Sequence, residues 1–155
     1  MNLAMSKADR EAFLSETRVG VLSIPEAGLG PLAVPVWYMY QPGGSVRLVT
    51  GGSSRKAQLL RKAGRASLCV QVDAPPYKYV SVEGPVEIVG PPDFERDVGP
   101  TARRYLGAEG AEIVALRKGA SRRCPRELDT RAVAECGLPQ VAGRTDRGVD
   151  QYNAG

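Results

Sequence analysis

Gly51-Gly52-Ser53-Ser54-Arg55-Lys56 joins a strand-like run, Val46-Arg47-Leu48-Val49-Thr50, to a helix-like run, Ala57-Gln58-Leu59-Leu60-Arg61. A loop of this composition at a helix start can hold an anion. Glycines let the backbone approach closely, a serine caps the helix, and the first-turn amides carry the positive end of the helix dipole. Arg55 and Lys56 add full positive charge where that dipole ordinarily favours acids, so the pair reads as a phosphate seat. At about 100° per residue, Lys56 falls with Leu59, Leu60 and Ala63 on the face that packs against the body. A lysine there needs a partner or snorkels outward along its own stem, and Arg55 could equally be solvated.

Other chemistries are limited by what the chain lacks. It has no histidine, which removes Ser-His-Asp triads, histidine-bearing zinc sites and histidine-ligated haem. Chemistry must then be carried by something bound, and a redox cofactor of the flavin type asks the protein mainly for binding and orientation. Cys69, Cys124 and Cys136 are odd in number and lack CxxC spacing, so reduced thiols are expected, with Cys69 a core residue of its strand. The net charge of +4 is modest, and the late basic run around Arg122 and Arg123 has no interleaved aromatics to stack on bases, so no nucleic-acid partner is expected. No apolar stretch reaches the ~20 residues of a membrane span, and the N-terminus lacks a signal peptide's apolar core, so a cytoplasmic protein without a membrane partner is expected.

A chain of 155 residues with 43% hydrophobic residues suits one core. Ser6 caps a short covering helix with Ala8, Ala12 and Phe13 near one face. Strands come next at residues 18–24, 32–40 and 46–50, then the loop and its helix, which closes at Gly64. The second strand is apolar on both faces, with Leu32, Val34, Val36, Tyr38 and Tyr40 opposing Ala33, Pro35, Trp37 and Met39, so neither face expects bulk water. Pro35 cannot donate to a ladder, which marks an edge, a bulge or a ligand; a planar cofactor near Pro35, Val36 and Trp37 fits, as does ordinary core packing. Strands at 66–72 and 77–89 complete five, and a helix starts near Pro92-Asp93 and ends at Gly107, with an interruption at Gly99-Pro100. The pattern is mainly β: a small antiparallel barrel with peripheral helices.

Three ordered motifs carry a family resemblance: Val34-Pro35-Val36-Trp37-Tyr38, then Thr50 with Ser54-Arg55-Lys56-Ala57, then Pro76-Tyr77-Lys78-Tyr79-Val80-Ser81-Val82-Glu83-Gly84. The chain resembles the pyridoxamine 5'-phosphate oxidase-like split-barrel superfamily, and within it the actinobacterial flavin/deazaflavin oxidoreductases, over residues 5–110. The resemblance implies an FMN-binding type of split β-barrel with about six antiparallel strands. It implies a homodimer with FMN or coenzyme F420 at the subunit interface, and hydride transfer to or from a small organic substrate. By position, Arg55 and Lys56 match the phosphate-binding pair, with Thr50 and Ser54 beside it. Val34, Pro35, Val36 and Trp37 match the strand along the cofactor ring, and Lys78 and Tyr79 match positions that complete the site from the other subunit. No catalytic residue is assigned; Tyr38, Tyr40 and Tyr79 are candidate proton donors, each with a packing role as the alternative. Arg61, Lys62 and Arg65 could meet the polyglutamate tail of F420 or form a solvated face.

True pyridoxamine phosphate oxidase activity is not expected, because the family's C-terminal substrate-contacting region is not recognisable. The division is a split-barrel domain over residues 1–115 and an atypical tail over 116–155 whose sequence lacks clear periodicity and resembles disorder. Relatives add a final arginine-tryptophan strand there. Codons for Arg131-Ala132-Val133-Ala134-Glu135-Cys136-Gly137-Leu138-Pro139, read one nucleotide later, can give Val-Arg-Trp-Leu-Ser-Ala-Asp-Phe, so a frame shift is one origin of the tail, and sequencing the coding DNA tests it. A different class of function also stands: a non-catalytic or degenerate cofactor-binding split barrel. Neither substrate nor choice of cofactor can be read from the residues.

Overall fold

The structure is a computed structural model that describes residues 5–121 and 131–136. Six strands are β1 (Gly20–Ile24), β2 (Leu32–Val36), β3 (Val46–Gly51), β4 (Arg65–Gln71), β5 (Tyr79–Ile88) and β6 (Arg131–Cys136). They form one antiparallel sheet in the order β2-β1-β4-β5-β6-β3. Three helices lie around it: α1 (Lys7–Ser15), α2 (Arg55–Ala63) and α3 (Gly99–Ser121). This is the mainly β, split-barrel architecture with peripheral helices, although the sheet does not close.

Alternation at period two builds the core. Leu22 and Ile24 of β1, Leu68 and Val70 of β4, and Val80 and Val82 of β5 are buried on one face. Phe13 and Leu14 of α1 and Leu60 of α2 join the same cluster. The opposite face carries Val21, Cys69 and Ser81 in one row across the ladder. Cys69 therefore sits in the expected strand but on its outer side, half-buried rather than in the core. Burial raises its thiol pKa, so it remains a thiol at neutral pH.

The opening lies between β2 and β3, at the two ends of the strand order. β2 ends at Val36 rather than running to Tyr40, because the chain leaves β1 and turns toward β3. Met39 and Arg47 then form an isolated bridge, with N···O distances of 2.7 and 2.9 Å. Between the two, the Tyr38 amide donates to the Tyr105 hydroxyl at 3.0 Å, and that hydroxyl lies 2.8 Å from the Arg18 carbonyl oxygen and 3.0 Å from that of Tyr38. Tyr105 thus stands in for the missing neighbour strand, meeting backbone groups that would otherwise be orphaned. Pro35 sits in the edge strand, where its missing N–H costs no inner ladder bond.

The helices begin and end where the sequence places caps. Ser6 and Asp9 form a capping box on α1. Ser54 caps α2, accepting from the Ala57 amide at 3.2 Å, and Gly64 closes it in the left-handed region at φ 64°, donating to the Leu60 carbonyl at 2.9 Å. Asp93 caps a π-helical turn, Phe94–Val98, that leads into α3. Gly107 does break the helical backbone, with φ 74° and ψ −175°, yet a further helical stretch continues to Ser121 instead of stopping there.

β6 is the largest departure from the sequence reading. It lies within the segment read as lacking periodicity, pairs with β3 along its whole length from Val46↔Cys136 to Gly51↔Arg131, and meets β5 at Val86, Glu87 and Ile88. Its alanines have weak strand preference, so its strand form comes from the slot between two waiting edges rather than from local propensity.

Candidate functional site

The split between β2 and β3 is a cleft of about 630 Å³, lined on one side by Pro35, Val36 and Trp37 and on the other by Val49, Thr50, Gly51 and Lys56. Val98 at the end of the π-helical turn, Thr101, Ala102 and Val114 of α3 and Val19 before β1 complete the lining. The α3 contributors lie more than sixty positions from β2 in sequence, and nothing in their local pattern marks them. The volume falls within the ~300–1,000 Å³ of ordinary small-molecule sites.

The structure brings Pro35, Val36, Trp37, Thr50 and Lys56 together in this cleft. Ser54 stands behind it as the cap of α2. Its hydroxyl donates to the Gly51 carbonyl at 2.6 Å and lies 3.3 Å from Thr50 Oγ1, so it holds the loop at both ends. Arg55 is exposed at the rim, where its guanidinium donates to Glu26 Oε2 at 2.6 Å across 29 positions of sequence. Arg61 folds back over the same loop and donates to the Gly52 carbonyl at 2.8 Å. Val34 is not in the cleft: it faces inward and packs against the core, as the alternation of β2 demands, and Val36 on the same face is also a core residue, 6% exposed, although it borders the cleft. Lys78 and Tyr79 are exposed at the start of β5 and do not line the cleft of their own chain.

Lys56 is half-buried, and among the described residues no carboxylate pairs with it. Burial lowers its pKa from the usual lysine value, the signature of an ammonium that has lost water without gaining an anion. Thr50 beside it is 5% exposed. These two side chains give the cleft a polar, cationic end.

At the other end, Trp37 stacks on Tyr105 with ring centroids 4.9 Å apart and planes 4° from parallel. Trp37 is nevertheless 42% exposed, so one part of its indole stays available. Of the tyrosines considered as proton donors, Tyr38 and Tyr40 are buried in the core. The Tyr38 hydroxyl donates to the Leu14 carbonyl at 2.9 Å, and desolvation pushes its pKa up to about 12. Neither tyrosine lines the cleft, and Tyr79 does not either.

A second hollow, of about 350 Å³, lies between the β2–β3 turn and the π-helical turn, with Arg47, Arg96 and Asp97 in its wall. Its charges are spoken for. Asp97, with a side chain 2% exposed, accepts from Arg47 at 2.8 Å and from the Asp93 amide at 2.8 Å, and Arg96 lies 3.4 Å away. Among the described residues no group of three histidine, cysteine or carboxylate side chains could hold a metal ion, and no helix is long and apolar enough to cross a membrane.

A strand end, a capped helix and a lysine unpaired among the described residues thus face an edge strand across one cleft. The family model of pyridoxamine 5'-phosphate oxidase matches residues 6–134. The chain belongs to that family. The match covers β1 to β5 whole and extends into β6. Among solved structures, a conserved hypothetical protein from Mycobacterium tuberculosis is similar at 25% identity and a TM-score of 0.67, covering 88% of this chain and 82% of that one. An F420 reductase is similar at 18% identity and a TM-score of 0.56, covering 84% and 93%. A FAD-binding protein from Mesorhizobium loti is similar at 18% identity and a TM-score of 0.56, covering 88% and 90%. The last two likenesses establish the fold alone. Among curated proteins none matches the sequence.

The residues of the cleft fit a phosphorylated flavin-type molecule. A half-buried ammonium, unpaired among the described residues, beside a helix N-terminus suits its phosphate, and Pro35 with Trp37 suits its ring.

Proposed function

We propose that the cleft binds FMN or coenzyme F420 and that the protein is an oxidoreductase acting on a small organic substrate. The observation that carries this reading is Lys56, half-buried and unpaired among the described residues, in one cleft with Thr50, Pro35, Val36 and Trp37. Bound there, the cofactor would supply hydride transfer through its ring. The protein's part is to bind and to orient. Lys56, the Thr50 hydroxyl and the first-turn amides of α2 hold the phosphate, with Arg55 at the rim. Pro35, Val36 and Trp37 support the ring, and the unpaired edge of β2 offers it backbone polar groups.

The working unit is a homodimer on this reading. Lys78 and Tyr79, the positions that complete the site in relatives, stand away from the cleft of their own chain. The outer sheet face leaves Val19 51%, Val21 42% and Tyr79 40% exposed, which suits burial against a second copy. The cytoplasm is the proposed compartment.

Titration of the protein with FMN and with F420, before and after replacing Arg55 and Lys56 by alanine, tests the proposal. Loss of a charge-assisted phosphate contact should cost about 1.5–3 kcal/mol per hydrogen bond. Binding that ignores both substitutions overturns it. A second reading, a cofactor carrier without turnover, is favoured by the burial of Tyr38 and Tyr40 away from the cleft; it predicts tight binding with no reduction of any substrate by the reduced cofactor.

A further inference from the structure

Arg55 and Lys56 are adjacent, yet among the described residues only Arg55 has a counter-charge. Glu26, in the turn between β1 and β2, meets Arg55 at 2.6 Å, and so sets a negative charge beside the residue that precedes Lys56. The Glu26 side chain is 19% exposed and that of Arg55 62%, so the carboxylate is the better-shielded member of the pair. Its local turn geometry does not require this reach: the turn has its own bond, Leu29 N–H to the Glu26 carbonyl at 3.3 Å, made by backbone alone. The other cation at the loop, Arg61, is committed to the Gly52 carbonyl.

A fixed carboxylate beside a phosphate site acts on ligands according to their charge. A phosphomonoester such as that of FMN is close to a dianion at neutral pH, because its second pKa is about 6. The phosphodiester of F420 is a monoanion. Repulsion from a carboxylate near the seat scales with the charge of the group seated there, so it penalises the monoester about twice as strongly in free energy as the diester, the tail carboxylates of F420 lying beyond the diester.

We infer that Glu26 is a specificity-determining residue of this site, one that biases it against phosphomonoester cofactors and toward phosphodiester ones. This rests on the proposed cofactor reading of the cleft. It assigns the carboxylate a task distinct from chemistry, since Glu26 need not touch the reacting ring.

The test measures dissociation constants of riboflavin, FMN and F420 for the full-length protein and for Glu26→Gln and Glu26→Ala, read by quenching of Trp37, the single tryptophan of the chain. The expected result is that both variants tighten FMN about five- to tenfold, move F420 by about threefold or less, and leave riboflavin unchanged. High salt should shrink the difference. Equal changes for FMN and F420, or weaker FMN binding in both variants, would overturn the inference, the latter showing that Glu26 serves to orient Arg55. Failure of all three proteins to bind either phosphorylated cofactor would remove the proposed function and this inference with it, whereas binding with an unchanged FMN-to-F420 ratio removes the inference alone.

Discussion

Lys56 and Arg55 sit side by side in sequence and meet opposite fates in the fold. The helical register carries Lys56 into the cleft and Arg55 to the rim, where Glu26 takes it. Lys56→Ala should therefore weaken FMN or F420 binding by about 1.5–3 kcal/mol while leaving unfolding in urea nearly unchanged, because the ammonium has no carboxylate partner among the described residues. Asp97 is the contrasting case, a buried carboxylate with its partners in place. Burial acts to raise its pKa, but bonds from the Asp93 amide, Arg96 and Arg47 outweigh this and hold it below the usual aspartate value of 3.8. A carboxyl whose folded pKa is depressed contributes its stability above the unfolded pKa and loses it as pH falls through the folded one. Acid denaturation below about pH 4 should thus be steeper in the wild-type protein than in Asp97→Asn, which is less stable at neutral pH, and urea midpoints across that range would measure both effects.

At the scale of elements, α2 is readable because every device that shapes it is local. Ser54 and Gly64 bracket it in sequence and cap it in space. Ser54→Ala should cost about 1 kcal/mol of stability and also loosen the loop, since the same hydroxyl bonds Gly51. Gly107 is legible as a helix breaker but not as a joint between two helical stretches, because the second stretch is held at the cleft wall, where Val114 lies. With φ 74° and ψ −175° and nothing within 4 Å of an added Cβ, Gly107→Ala tests the backbone alone and should cost about 1–3 kcal/mol in chemical unfolding. The extent of β2 escapes the sequence pattern for a related reason. Its apolar run continues to Tyr40, but the ladder ends at Val36, and Tyr105, 67 positions away from Tyr38, satisfies the backbone beyond it. Periodicity reports which side chains are buried; it does not report which neighbour pairs with the backbone. Of the residues that the motifs single out, Val34 turns inward with the core face, while Pro35, Val36 and Trp37 meet Thr50 and Lys56 across the cleft.

Across the whole molecule, β6 decides how the sheet is assembled. The strand latest in the chain among the described ones occupies an interior place, between β5 and β3, and it is the sole lateral neighbour of β3 among the described residues apart from the bridge at Met39. A ribosome releasing this chain has therefore exposed residues 46–51 and 86–88 as bare hydrogen-bonding borders long before their common filler emerges. Those borders are adhesive toward other nascent copies during that interval. A chain ended after Ser121 is expected to accumulate in the insoluble fraction or to expose surface that binds a hydrophobic dye, while a synthetic peptide of residues 131–136 added in trans should restore part of the soluble material, a complementation that densitometry of fractionated lysate can score.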